Sequence, residues 1–202
     1  MKKDTKNEII KVAKALFNER GYNHVTTQNI ADAIGISKGN LNYHFDKKEA
    51  IIEAVVEEMH SHYIKPQTPT TLDELNARFL HTQEMITENA FYFWDYTQLA
   101  QMSSRIKEIQ HKVIGNNYAL FDESFKLLNK EEILLDEEYP GQYGQVIQAV
   151  VLTCTYWTPH SRFVKSMETN GGFLGCVWAV IYPLLTEKGK AQYNAIKHTF
   201  QQ

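Results

Sequence analysis

Apolar residues recur at helical spacing along most of the chain, and this pattern predicts a protein built from α-helices. The first helix is predicted by a stripe that consists of Ile9, Val12, Ala13, Leu16 and Phe17. Thr5 and Glu8 have the spacing of a capping box before this stripe. Gly21 follows it, as glycine often does at the end of a helix. These signals place one amphipathic helix between Thr5 and Gly21.

From Thr71 onward the same periodicity predicts a series of longer helices. The predicted segments are Thr71 to about Thr87, Phe91 to about Met102, Ser104 to about Leu128, 145–157, 172–185 and Glu187 to about Thr199. Residues 131–143 are predicted to form an acidic loop, and Pro159 should break or kink the helix that contains it. The β-branched residues of 146–153 would also suit a strand. A helix is favoured there because helices flank the run and no turn-linked partner strand is visible.

Residues 26–45 are predicted to form two short helices joined by a glycine turn. Thr26 and Thr27 are both suitable N-caps for the first of these helices. Gly35 can adopt the left-handed conformation that ends it, and Ser37 can cap the second helix. The inward side chains of the pair are Ile30, Ala31, Ile34, Leu41 and Phe45.

The second short helix carries small, polar and basic residues on its outer face and flanks. They are Lys38, Gly39, Asn40, Asn42, Tyr43 and His44. Such a helix, braced by its partner, can enter the major groove of DNA and hydrogen-bond to phosphates and base edges. The alternative is an ordinary helical hairpin whose polar residues are merely solvated. A further helix that opens at Asp46, with Lys48 in its first turn, would connect this head to the remaining chain.

The segment from about Glu8 to Val56 resembles the N-terminal domain of the TetR family of bacterial regulators. The resemblance rests on Ala15-Leu16-Phe17, Gly21-Tyr22, Thr26-Thr27, Ile30-Ala31, Gly35-Ile36-Ser37-Lys38-Gly39, Leu41, Tyr43-His44-Phe45 and Lys48-Glu49. It implies an all-α architecture, in which a three-helix helix-turn-helix head is joined by a connector helix to a C-terminal helical bundle for ligand binding and dimerisation. The domains expected from it are 1–56 for DNA binding and 57–202 for effector binding and dimerisation.

The resemblance also implies roles for individual residues on a double-stranded DNA operator. Residues at the positions of Thr27 and Lys48 touch phosphates in that family. The positions that approach the groove or its walls are Ser37, Lys38, Gly39, Asn40, Tyr43 and His44. Asn42 departs from the family pattern, because many members carry tyrosine there. Its amide can still hydrogen-bond to a phosphate or a base edge, so Asn42 remains an expected DNA contact.

Charge is divided unevenly along the 202 residues, although the formal net charge is only −3. Residues 1–48 hold nine Lys and Arg against five Asp and Glu, a net charge of +4. The remaining residues hold twelve against nineteen, a net charge of −7. This division lets a basic head bind phosphates while an acidic body is repelled from the duplex. Because the head is only moderately basic, we expect salt-dependent binding that needs two heads acting together.

The apolar runs 145–157 and 172–185 are hydrophobic on more sides than a helix with one buried face requires. They are expected to face their own core and a second subunit, and the resemblance agrees, because the last two major helices of these regulators commonly pair across a dimer. The residues expected at this homodimer interface are Val146, Val150, Cys154, Trp178 and Ile181.

The family also implies an effector pocket in the C-terminal part. Aromatic side chains with polar tips would suit a small amphipathic or aromatic ligand. The candidate effector-binding residues are Trp94, Tyr96, Tyr118, Phe121, Tyr156 and Trp157. The alternative is that these rings only pack the core.

Other functions find less support in the sequence. Cys154 and Cys176 are too few for a disulfide framework or a zinc site, and His60 and His62 would point to different helix faces. We therefore expect no metal, no cofactor and no catalysis, and with no apolar signal core or membrane span we expect a cytoplasmic location without a membrane partner. A protein that organises the nucleoid without a ligand switch remains an alternative to a ligand-responsive repressor.

Overall fold

The computed structural model describes residues 5–61, 66–163 and 172–198, and helices account for the regular structure of these ranges apart from one isolated β-bridge between Leu134 and Leu185. The α-helices are α1 (Thr5–Arg20), α2 (Thr27–Ile34), α3 (Lys38–His44), α4 (Lys48–Ser61), α5 (Leu72–Glu88), α6 (Ala90–Trp94), α7 (Tyr96–Met102), α8 (Ser104–Lys130), α9 (Gln142–Phe163), α10 (Gly172–Ile181) and α11 (Glu187–Ile196). Short 3-10 helices span Tyr22–His24 and Tyr182–Leu184. The all-α prediction is confirmed, and residues 146–153 are helical.

The chain divides into two compact units. The described part of the first unit comprises residues 5–61 and 88–111, which hold α1 to α4, α6, α7 and about two turns of α8. Its core contains side chains from all of these helices, among them Ile9, Phe17, Ile30, Leu41, Ile51, Val55, Phe91, Leu99 and Ile106, which are fully buried. The helix-turn-helix pair therefore shares one core with residues that lie some fifty positions later in the sequence.

The described part of the second unit comprises residues 66–87, 112–163 and 172–198. Its fully buried side chains include Leu75, Phe79, Phe125, Phe173, Val177, Trp178 and Ile181. One buried polar pair is satisfied in this core, because the Trp178 indole N–H donates to Asn76 Oδ1 at 3.0 Å. In a second buried pair, the Ser124 hydroxyl donates to the Pro69 carbonyl at 2.7 Å.

Two of the predicted helices differ from the structure near the head. The predicted single helix from Phe91 to Met102 is two helices, because Asp95 takes φ −108° and ψ 20°, outside the α-helical region. Aspartate favours such positions because its side chain competes with the helical hydrogen bonds of the backbone. The connector helix α4 begins at Lys48 rather than Asp46, since Phe45 still closes α3 with its N–H on the Leu41 carbonyl.

Pro159 does not end α9, which continues to Phe163. A proline removes one backbone hydrogen bond from a helix but leaves the flanking turns intact, so packing can hold the helix together. The residue predicted to end the last helix, Thr199, lies outside the described residues, and α11 ends at Ile196. No helix in the described ranges is long and apolar enough to cross a membrane.

Candidate nucleic-acid interface

The first helix of the pair, α2, is fixed at its N-terminus by a reciprocal capping box. Thr26 Oγ1 accepts a hydrogen bond from the Asn29 N–H at 3.1 Å, and Asn29 Oδ1 accepts one from the Thr26 N–H at 2.9 Å. The sequence predicted either Thr26 or Thr27 as the N-cap of α2, and in the structure Thr26 is the cap. Thr27 is therefore the first residue of the helix, where the backbone N–H groups carry partial positive charge.

The turn between α2 and α3 has the geometry that the sequence predicts. Gly35 lies in the left-handed region with φ 71° and ψ 32°, and the Ile36 N–H donates to the Ala31 carbonyl at 3.0 Å. Ser37 Oγ then accepts a hydrogen bond from the Asn40 N–H at 3.2 Å and caps α3. Both ends of the turn are thus fixed by local hydrogen bonds, so α3 has a defined direction.

The outer surface of α3 is open to solvent, and its inner side is buried. Leu41 is fully buried and Phe45 nearly so. The exposed residues at the start and outer face of the helix are Ser37, Lys38, Gly39, Asn40, Asn42 and Tyr43. The Tyr43 side chain is 87% exposed, the most open of the large apolar residues described. A ring in that position adds nothing to the core, so it is available to a binding partner.

His44 and Tyr43 lie next to each other at the end of α3. Their rings meet edge to face with centroids 5.3 Å apart. His44 is half-buried, so the histidine ring limits the orientations that the exposed tyrosine can take. The surface formed by residues 37–44 therefore combines one amine, two amides, one aliphatic hydroxyl, one phenol and one imidazole. These are groups that can contact phosphates and base edges.

Lys48 has a structural position that its sequence pattern does not reveal. Its Nζ donates hydrogen bonds to the Tyr22 and Val25 carbonyls, each at 3.0 Å, and lies 4.0 Å from the centre of the Tyr22 ring. Burial lowers the pKa of the Lys48 ammonium from its usual value, while the neighbouring Glu49 carboxylate opposes that change. The lysine thus clamps the first turn of α4 to the corner before α2. The acceptors are carbonyls more than twenty residues away, which no local sequence pattern could identify.

The candidate effector residues fall in both units. Trp94 and Tyr96 are half-buried in the first unit, where the Tyr96 ring centroid is 5.3 Å from that of Tyr92. Tyr118, Phe121, Tyr156 and Trp157 belong to the second unit. Phe121 is a core residue there, packed against Phe79 with ring centroids 5.7 Å apart.

The second unit also contains an open groove of about 390 Å³ that the sequence did not indicate. Its lining includes Thr71, Lys130 and Lys188 but none of the candidate aromatic residues. Lys188 donates to the Glu131 carbonyl at 2.6 Å in this region. The lining mixes charged and polar side chains with Leu127 and Ile133 and contains no aromatic ring, unlike a pocket suited to an aromatic ligand.

Burial corrects the expected dimer surface. Val150, Trp178 and Ile181 are at most 1% exposed within the single chain, so the second unit itself already covers them. The sequence pattern could not separate the two sides of an all-round apolar helix, and these three residues belong to the inner side. Val146 and Cys154 are half-buried. Within α9, α10 and the 3-10 turn after α10, the large apolar residues left open are Leu152, Tyr156 and Tyr182, which are 50, 43 and 39% exposed.

Neither cysteine forms a disulfide, and no group of three or more His, Cys, Asp or Glu side chains within the described ranges is arranged to hold a metal ion. Desolvation raises the pKa of the Cys154 thiol to about 12, so this thiol stays protonated at neutral pH. A protonated thiol is a poor nucleophile, so Cys154 is unsuited to thiolate chemistry.

Comparison with known families identifies the class of protein that this fold and surface define. The family described as "Bacterial regulatory proteins, tetR family" matches residues 9–55, and the family described as "Bacterial transcriptional repressor" matches residues 55–193. The chain therefore belongs to the TetR family of bacterial transcriptional regulators, and it is a DNA-binding regulator of transcription.

Individual proteins agree with this assignment. The chain is 30% identical over 137 residues to IcaR of Staphylococcus epidermidis, named a negative transcriptional regulator of the biofilm operon icaADBC, and the match covers 66% of this chain and 74% of IcaR. A crystal structure of a TetR-family regulator from Marinobacter aquaeolei has a TM-score of 0.82 at 21% identity, covering 98% of this chain and all of the other. The complex of SmeT with triclosan has a TM-score of 0.61 at 14% identity, covering 91% of this chain and 92% of SmeT. The two structures share the fold.

Proposed function

We propose that the protein is a homodimeric repressor that binds a palindromic DNA operator through α3 and leaves it when a small molecule binds. The observation that carries this proposal is the exposed polar surface of residues 37–44 on a helix whose start and turn are fixed by hydrogen bonds. Repression is favoured because IcaR, the relative with 30% identity, is named a negative regulator.

The proposed DNA contacts divide by the chemistry of their groups. Thr27 and Lys48 would contact phosphates, since the first lies at the positive end of α2 and the second has an ammonium held at the same corner. The remaining contacts would be made by Ser37, Lys38, Gly39, Asn40, Asn42, Tyr43 and His44. Lys38 and Asn40 are the candidates for base readout, because ammonium and amide groups recognise guanine and adenine edges in the major groove.

The proposed dimer uses the side of α9 that the chain leaves open. Leu152 and Tyr156 are one helical turn apart on that side, and Tyr182 follows the C-terminus of α10. Exposed apolar residues that adjoin on one helix side, as Leu152 and Tyr156 do, are a usual feature of an interface core. Two-fold symmetry would place two copies of α3 in successive major grooves, about 34–36 Å apart.

The proposed effector is a small amphipathic or aromatic molecule. In the second unit, half-buried aromatic residues with polar tips, such as Tyr118 and Trp157, offer apolar contact and hydrogen-bonding groups together. SmeT, which shares the fold, has a solved structure described as a complex with triclosan. To release DNA, the effector must favour the released conformation by a few kcal/mol.

Selection of bound fragments from a random duplex pool, with the purified protein, tests this proposal. We expect an enriched inverted repeat with half-sites about one helical turn or a multiple of it apart. Metabolites are then screened for release of the protein from that duplex. Binding to all duplexes with no enrichment would favour a nucleoid-organising protein, and no binding even at low salt would refute DNA recognition by α3.

A further inference from the structure

Residues 88–111, which we name the docking segment, belong to the same compact unit as the helix-turn-helix head. The docking segment consists of the end of α5, α6, α7 and the start of α8. Phe91 packs against Phe17 of α1 with ring centroids 5.8 Å apart, and Leu99 and Ile106 are fully buried in the shared core. Since α8 itself continues to Lys130, this one helix begins in the head unit and extends along the chain into the second unit.

Hydrogen bonds fix the docking segment to the N-terminal helices at defined positions. Asn18 of α1 donates to the Glu88 carbonyl at 2.8 Å and accepts from the Phe91 N–H at 3.2 Å. Asn23, in the 3-10 turn before α2, forms a reciprocal amide pair with Gln98 of α7, with bonds of 3.1 and 3.2 Å. The corner that leads into α2 is thus bonded to the docking segment as well as to Lys48.

The connector helix α4 is bonded to the start of α8. The Ser103 hydroxyl accepts a hydrogen bond from the Ile106 N–H at 3.1 Å and therefore caps the N-terminus of α8. The same hydroxyl donates to Glu53 Oε1 at 2.5 Å, so it also bonds α8 to α4. One helical turn further along α4, Glu57 Oε1 accepts from Arg105 Nε at 2.7 Å. Ser103 is 4% exposed, which protects its bond to Glu53 from competing water.

We propose that Ser103, at the start of α8, and Gln98, on α7, are positioning residues that set the placement of α4 and of the α1–α2 corner through their bonds to Glu53 and Asn23. Apolar contacts tolerate sliding, but a hydrogen bond weakens steeply when its atoms move apart or out of line. A shift of α8 must therefore either move α4 with it or break the Glu53–Ser103 bond. This inference rests on the proposed function, because it concerns how DNA binding is regulated.

Hydrogen–deuterium exchange of the full chain, with and without the duplex selected from the random pool, tests the coupling without a known effector. Coupling between two sites is reciprocal, so DNA bound at α3 must stabilise the start of α8. We expect the duplex to slow exchange of amides 104–111 by about fivefold or more, in addition to those of α2 and α3. A duplex of unrelated sequence at equal concentration is the reference.

Variants that lack one bond each test whether the effect of DNA on α8 depends on the Ser103–Glu53 bond and on the Gln98–Asn23 pair. In Ser103→Ala and in Gln98→Ala, we expect the duplex to slow exchange at 104–111 much less, while protection at α3 remains. Ser103→Thr keeps a hydroxyl and should retain the wild-type slowing. Thr68→Val, which removes the bond from Thr68 to Glu123 in the second unit, is the matched control and should behave as wild type.

Three outcomes separate the possibilities. DNA binding that leaves exchange at 104–111 unchanged in the wild type would overturn the inference and leave the proposed function standing. Full slowing in both Ser103→Ala and Gln98→Ala would also overturn it. Absence of DNA binding by the wild type would refute the proposed function and the inference with it. The wild-type measurement is decisive even if a variant fails to fold.

Discussion

Lys48, a proposed phosphate contact, already has partners within the protein. Its ammonium already has two carbonyl acceptors and an aromatic face, all from the corner before α2. An ammonium has three donors, so one N–H is left for a phosphate. The lysine therefore orders the segment that presents Thr27 and can add a phosphate contact of its own.

Replacing Lys48 by methionine removes the ammonium and keeps most of the stem. We expect the free energy of unfolding to fall by about 1–3 kcal/mol, because two carbonyls lose their donor. Affinity should fall on all duplexes, with a salt slope shallower by about one unit. Chemical denaturation and anisotropy titrations over a salt series measure both effects.

Lys47→Met is the control, because Lys47 is exposed and precedes the helix. It should leave the free energy of unfolding unchanged. If Lys48→Met left stability unchanged as well, the clamp would have no energetic importance, and the contribution of Lys48 would be limited to phosphate contact.

At the scale of residues, the sequence was informative where the interaction is local. The positive φ of Gly35, the cap on Ser37 and the burial of Leu41 all follow from spacing within one or two turns. The Lys48 clamp and the Asn23–Gln98 pair join residues 23 to 75 positions apart. A single sequence does not specify such partners, because lysine, asparagine and glutamine are also common on solvated surfaces, where they have no fixed partner.

At the scale of elements, close packing at the start of α11 depends on Gly189. The chain near Ile133 pairs with residues 184–186, where the Leu135 N–H donates to the Leu184 carbonyl at 2.8 Å. A Cβ on Gly189 would lie 2.3 Å from the Ile133 carbonyl oxygen, so the backbone would have to move. Gly115 of α8, in contrast, has nothing within 4 Å of its Cβ position.

Gly189→Ala should therefore destabilise the second unit. We expect the free energy of unfolding to fall by about 1–3 kcal/mol, the usual cost of overpacking. Gly115→Ala should instead be neutral or stabilising by up to about 1 kcal/mol, because alanine is the better helix former and has room. Thermal unfolding followed by circular dichroism compares the two variants, and equal midpoints would contradict the packing at Ile133.

The helices themselves were predictable, but their breaks and faces were less so. Helical periodicity located the helices of the described ranges to within a few residues, with two exceptions. One predicted helix is two at Asp95, and α9 continues to Phe163 instead of ending at residue 157. Periodicity also failed to orient α9, since apolar residues lie on both its sides. Val150 faces inward and Leu152 outward, and that choice is made by α10 and the core rather than by α9 alone.

At the scale of the whole molecule, the proposed dimer depends on the open side of α9. Leu152→Glu should place a charge on that open side and shift the protein from dimer to monomer. Leu135→Glu is a matched control, because Leu135 is comparably exposed at 43% but lies in the loop after α8. Sedimentation equilibrium measures the mass of each variant. An unchanged dimer with Leu152→Glu would place the interface elsewhere.

The division of the molecule was only partly accessible from the sequence. Charge and motif marked the N-terminal head, whose expected limit at residue 56 lies close to the boundary between the two matched families. The sequence did not indicate that residues 88–111 share the core of that head, because such packing depends on contacts between segments far apart in the chain. The expected domains 1–56 and 57–202 remain a proposal about function.

The most direct test of the account compares Lys38→Ala and Asn40→Ala with the wild type on two duplexes, the selected operator and a scrambled duplex of equal length, at one salt concentration. If the outer side of α3 reads base edges, each substitution should weaken operator binding by about 1–3 kcal/mol more than it weakens binding to the scrambled duplex. Equal loss on both duplexes would contradict the central claim, because it would show that these side chains contribute only charge or solubility.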